Sequence, residues 1–146
     1  MVKPFYLLDT NLVSEIFRPK PNENVMANLR KNEKFCALPA TAWNEMIFGA
    51  NIMAEGKKKD FLFAKLFDNI QAQFEIINYD NYAALIQAEI RARLKEKGIS
   101  IDFPDSQIAA IAISNGMILV TRNTKHFEPI QEVSALLLEN WFESSI

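Results

Sequence analysis

Residues 102–123 read DFPDSQIAAIAISNGMILVTRN, and their pattern decides the fold. Pro104 suits the first turn of a helix, where a missing N–H costs nothing, and Asp105 places negative charge at the positive end of the helix dipole. Ile108, Ala109, Ile111, Ala112 and Ile113 make that helix apolar on most sides, so it must be buried. Asn115-Gly116 serves as a C-cap, and Met117 to Val120 follows as a strand. The strand is a continuous apolar run, which is how central strands of parallel sheets read. It ends at a polar turn, Thr121-Arg122-Asn123.

Working outward, the same strand, polar turn and helix recur near the N-terminus. Phe5 to Leu8 is a short apolar run, Asp9-Thr10-Asn11 interrupts it, and Leu12, Val13, Ile16 and Phe17 repeat at helical spacing. Thr10 or Asn11 can cap that helix. Taken alone, Asp9 reads first as a cap or dipole partner, although the carboxyl end of a strand is also where open α/β sheets bind ligands.

Pro19 and Pro21 break the first helix, a shorter one is predicted over Val25 to Lys31, and Phe35 to Leu38 forms a strand closed by Pro39. Ala42, Trp43, Met46, Ile47, Ala50 and Met53 trace a long helix from about Thr41 to Gly56, carrying Glu45 in its first turns. Lys57 to Lys59 starts a helix or loop, Phe61 to Ile70 continues as a helix, and Phe74 to Ile77 is a third strand. Asp80 to Lys97 repeats with a 3.6-residue period and ends at Gly98; its basic last turns suit the dipole without any ligand. Thr124 to Ile130, with Pro129, reads as a polar turn, and Ser134 to Leu138 as a final apolar run. The alternation predicts an α/β fold, a mostly parallel sheet flanked by helices on both faces, in one domain spanning 1–146.

With 146 residues, about half of them apolar, the chain can bury a core without staples. A single cysteine, Cys36, lies in an apolar run and reads as a buried thiol, and one histidine, His126, cannot build a nitrogen and sulfur zinc site alone. No segment approaches the length of a membrane span, so a soluble, cytoplasmic protein is expected. A net charge of -2 argues against a general nucleic-acid coat.

Asp9, Glu45 and Asp105 each fall at a strand end or an early helical turn, places that converge on one edge of an α/β sheet. Asn123 joins them by the same reasoning, with Asp102 close enough to matter. Converging carboxylates repel, and an oxygen-only ligand set calls for a hard divalent cation, Mg²⁺ or Mn²⁺. The chemistry that uses such a cluster is phosphodiester hydrolysis by activated water. The absence of a GxxxxGK[ST] loop or GxGxxG turn argues against common nucleotide-binding domains.

Three ordered segments, LLDTNLVSE, TAWNEMIFGA and DSQIAAIAISNGMILVTRNTKHFEPI, together with the closing LLLENW, resemble the successive motifs of PIN-domain proteins, and more narrowly of VapC toxins. The resemblance implies a metal-dependent endoribonuclease acting on a structured RNA such as tRNA, a homodimer, and a VapB-like antitoxin that blocks the site. It puts metal-binding acids at Asp9, Glu45 and Asp105. The fourth family position, often an acid, matches Asn123. Thr10, Asn11, Arg122 and His126 are carried over as auxiliary residues, His126 first as a hydrogen-bonded turn residue. Phe61 and Phe67 mark the face expected to meet a partner. The competing expectation is a PIN-type binding subunit that acts with an antitoxin on promoter DNA and cuts little.

Overall fold

The computed structural model describes residues 3–143. These form five strands, β1 (Tyr6–Leu8), β2 (Cys36–Pro39), β3 (Glu75–Ile77), β4 (Ile118–Val120) and β5 (Leu137–Glu139). All pair in parallel, in the order β3-β2-β1-β4-β5. Side chains alternate across a strand, so each strand feeds two cores. Leu7, Ala37 and Leu119 face one core, and Leu8, Leu38 and Val120 face the other. Both faces are apolar because both are covered, as predicted.

One layer contains α1 (Thr10–Ile16), α2 (Glu23–Asn32), α3 (Ala40–Asn51) and α4 (Lys57–Lys65); α4 runs on as a wider turn over Leu66–Gln71. It buries Leu12, Val13, Val25, Leu66 and Ile70. The other contains α5 (Asn81–Glu96), α6 (Phe103–Ser114) and α7 (Thr124–Val133), and buries Ile90, Leu94, Ile108, Ile111, Phe127 and Ile130. Among the described residues no helix is long and apolar enough to cross a membrane.

The strand order creates the functional edge. From β1 the chain moves outward through β2 and β3 on one side, then returns to add β4 and β5 on the other. The direction therefore switches between β1 and β4, and crevices outside the carboxyl ends of strands open at such points. The register pairs Leu8 with Val120, so the next residues, Asp9 and Thr121, stand side by side; the Asp9 N–H donates to the Val120 carbonyl at 3.0 Å.

Of the cap readings for α1 the structure selects Asp9 over Thr10 or Asn11: its Oδ1 accepts from the Thr10 N–H, and Thr10 is already helical. Two local readings need correction. The helix carrying Glu45 stops at Asn51, and Gly56, at φ 145°, opens α4 instead of closing α3; that backbone is open to glycine alone. Thr124 to Ile130 is not a turn but most of α7, with Pro129 inside it. Phe127 and Ile130 are fully buried, and placing them in the core outweighs the one helical hydrogen bond that the proline removes.

Candidate active site at the carboxyl edge of the sheet

Asp9 lies at the centre of this edge. It is only 7% exposed, and a network of short polar contacts holds it. Its Oδ1 accepts from the Thr10 N–H at 2.8 Å; its Oδ2 accepts from Thr121 Oγ1 at 2.8 Å and from Asn11 Nδ2 at 3.4 Å. Burial is the main force raising its pKa, and the negative charges of Asp105 and Glu45 add to it; the hydrogen bonds from Thr121 and Thr10 oppose the shift.

Two threonines connect Asp9 to the rest. Thr10 donates its N–H to Asp9 and its hydroxyl to Glu45 Oε2 at 2.9 Å, so the first residue of α1 ties the acid of β1 to the acid of α3. Thr121, fully buried, donates to Asp9 and accepts from the Asn123 N–H at 3.1 Å. Asn11 spans the switch point, donating to Asp9 and accepting from the Arg122 N–H at 3.2 Å.

Asp105 arrives from the first turn of α6, whose position is set by a buried polar network. Gln87 of α5 donates to Ser106 Oγ at 2.9 Å and accepts from the Tyr79 hydroxyl, while Ser106 donates to the Phe103 carbonyl at 2.8 Å. Opposite, His126 Nε2 lies 2.6 Å from Asp105 Oδ2 and 3.9 Å from Asp102 Oδ2. One donor atom each from Asp102, Asp105 and His126 falls within 4.8 Å of the others. The helical path of α7 brings His126 to this point; a loose turn would not hold it there.

Two adjoining cavities of about 670 and 530 Å³ share Asp9, Asp105, Arg122 and Asn123, and together form an open trough along the edge. Glu45, Thr10 and Asn11 line one half and His126 the other. Asp102 lines neither half and stands at the rim beside His126. Among the described residues, none of Asp9, Glu45 or Asp105 is paired with a lysine or arginine. An oxygen-rich donor set that meets only His126 and no lysine or arginine fits a hard divalent cation.

Residues that the sequence did not single out for the site include Thr121, buried beneath the trough, and Arg18, Lys125, Asn140, Phe142 and Glu143, which line it. Only Thr121 carried a signal, as a hydroxyl at the end of an apolar strand. Cys36 is buried as expected, and burial pushes its thiol up to about 12.

A PIN-domain family model matches residues 6–132, a span that takes in Asp9, Glu45 and Asp105. The chain is similar to toxin FitB of Neisseria gonorrhoeae, 36% identical over 83% of this chain and 89% of the relative. It is also similar to ribonuclease VapC2 of Rickettsia felis, 33% identical over 93% and 97%. The solved FitAB complex bound to an IR36 DNA fragment contains a chain that superposes with a TM-score of 0.87 at 33% identity, covering 97% of this chain and 99% of that one. Fold, motif order and similarity along almost the whole length agree: the chain belongs to the PIN-domain family, in its VapC-like branch.

Proposed function

We propose that this protein is the toxin of a toxin–antitoxin pair and a metal-dependent endoribonuclease that hydrolyses RNA phosphodiester bonds, with a structured RNA such as tRNA as substrate. The observation that carries this reading is that Asp9, Glu45 and Asp105 line one open cavity at the sheet's switch point, with Thr10 bridging Asp9 to Glu45. The relative named ribonuclease VapC2 supports it.

Asp9, Glu45 and Asp105 would hold Mg²⁺ or Mn²⁺, and Asn123 would add a neutral oxygen donor or act through water. When bound, the cation supplies the positive charge and Lewis acidity that phosphodiester hydrolysis requires. The chain's own groups prepare the site. Thr121 and Thr10 fix the Asp9 carboxylate oxygens, and their hydrogen bonds favour its charged form against the pull of burial. His126 holds Asp105 from the far side. Asn11 fixes the backbone at Arg122 relative to Asp9. Among the described residues, neither the cysteine nor the histidine is poised as a nucleophile: Cys36 is buried with its thiol strongly protonated, and His126 faces a carboxylate. Direct attack by water is the scheme this arrangement suits, and the resemblance to the family implies products with a 5′-phosphate and a 3′-hydroxyl.

The partner would be a VapB-like antitoxin, which supplies an arginine or lysine to the acids in place of the cation. The FitAB complex supports a two-component assembly. The aromatic face with Phe48, Phe61 and Phe67 exposed suits a homodimer.

Incubation of the purified chain with total tRNA and Mg²⁺, beside Asp9→Asn, tests the proposal: the wild type cleaves and the variant does not. Equal cleavage by both defeats it. The DNA-bound state of the FitAB complex favours one second reading, a subunit that sits on promoter DNA through its antitoxin. A gel shift that requires the antitoxin, with no RNA cleavage at any metal concentration, selects that reading.

A further inference from the structure

Resting on the ribonuclease reading, we propose that the turn Asn140–Phe142 is part of the substrate site: it seats Arg122 on the Phe142 ring, and the seated guanidinium anchors an RNA phosphate beside the scissile bond.

Arg122 follows Thr121 at the switch point and lines both halves of the trough together with Asp9 and Asp105. An arginine beside acids ordinarily collapses onto them. Arg122 makes no ion pair among the described residues; its guanidinium carbon instead sits 4.7 Å from the centre of the Phe142 ring. Such contact engages the guanidinium face and consumes none of its five N–H donors.

The pairing is held at both backbones by one side chain. Asn140 Nδ2 donates to the Arg122 carbonyl at 3.4 Å, and Asn140 Oδ1 accepts from the Phe142 N–H at 2.8 Å. Asn11 holds the Arg122 N–H from the other side at 3.2 Å. The result is a cation fixed in place at the edge of an anionic trough, with its donors left over. A polyanionic strand lying in that trough needs positive charge away from the acids as well as at them, and a planar fork of donors suits a phosphate. Arg122 would be the residue that touches RNA; Asn140 and Phe142 are positioning residues that act through it.

The test measures binding and turnover separately in the full-length chain. On an Asp9→Asn background, anisotropy of labelled tRNA is followed over a salt series for Arg122→Ala, Arg122→Lys, Asn140→Ala, Phe142→Leu and Phe142→Tyr. Loss of Arg122 weakens binding about tenfold, and the slope of log affinity against log salt falls by roughly one. Arg122→Lys keeps the slope but not the full affinity, since a point charge lacks the fork. Phe142→Leu retains apolar packing and a wild-type melting temperature yet loses affinity, whereas Phe142→Tyr retains both. In the active chain the same variants raise KM more than they lower kcat. Wild-type affinity and slope in Phe142→Leu and Asn140→Ala overturn the inference alone; a chain that neither binds nor cleaves RNA overturns the ribonuclease reading with it.

Discussion

Thr121 Oγ1 donates to Asp9 Oδ2 at 2.8 Å, joining residues 112 positions apart at the ends of adjacent parallel strands. The hydroxyl is fully buried and also accepts from the Asn123 N–H. It links the first acid of the trough to the turn that begins α7.

Thr121→Val preserves the shape of the side chain and removes its hydrogen bonds. The variant leaves a buried carboxylate short of a donor and the Asn123 N–H short of an acceptor, so it should lose about 1–3 kcal/mol of stability in urea titrations. Cleavage should fall with it. Thr121→Ser keeps the hydroxyl and should recover both; equal behaviour of the two variants would show that the hydroxyl is not what holds Asp9.

The raised pKa of Asp9 predicts the sign of a pH effect. Burial, aided by Asp105 and Glu45, disfavours the charged form in the fold. Above the folded pKa the carboxylate is ionised in both states and its burden on the fold is complete. As pH falls through the folded value, the native state takes up the proton first and stability recovers, until the unfolded chain protonates too. With chelator present, the stability of wild type relative to Asp9→Asn should therefore rise as pH falls from neutral toward the ordinary carboxylate range. A fall in relative stability on that acidification contradicts the shift.

Gln87 should matter to the site without touching it. Its amide joins Tyr79, Ser106 and the Phe103 carbonyl beneath the turn that presents Asp105. Gln87→Leu leaves the Tyr79 and Ser106 hydroxyls without that partner and should cost about 1–3 kcal/mol. Mn²⁺ binding, measured by calorimetry, should weaken while Asp9-side contacts persist. An unchanged Mn²⁺ affinity would separate this network from the trough.

Cys36 should resist alkylation in the native protein. Its thiol is 5% exposed, burial holds its pKa at about 12, and it contacts the Asn32 carbonyl at 3.3 Å. Thiolate is the reactive species, so iodoacetamide should label it slowly until denaturant is added, as mass spectrometry would read. Rapid labelling without denaturant would indicate an opening of α2 and β2.

Much of this protein was legible in its sequence because its signals are local. Continuous apolar runs marked the buried strands, and the spacing in Asp80 to Lys97 marked α5. Pro104 and Asp105 marked the start of α6, where the helix begins at Phe103. The same patterns placed Asp9, Glu45 and Asp105 at strand ends or first turns, and that sufficed to put them on one edge. Pro129 misled because its local penalty is visible in sequence, while the burial of Phe127 and Ile130 that overrides it depends on a core assembled from distant elements. Only the tertiary structure brought Thr121 to Asp9, His126 to Asp105 and Phe142 to Arg122. Those pairings follow from strand register, helix docking and a turn returning from β5, all of which are settled by packing between segments far apart in the chain.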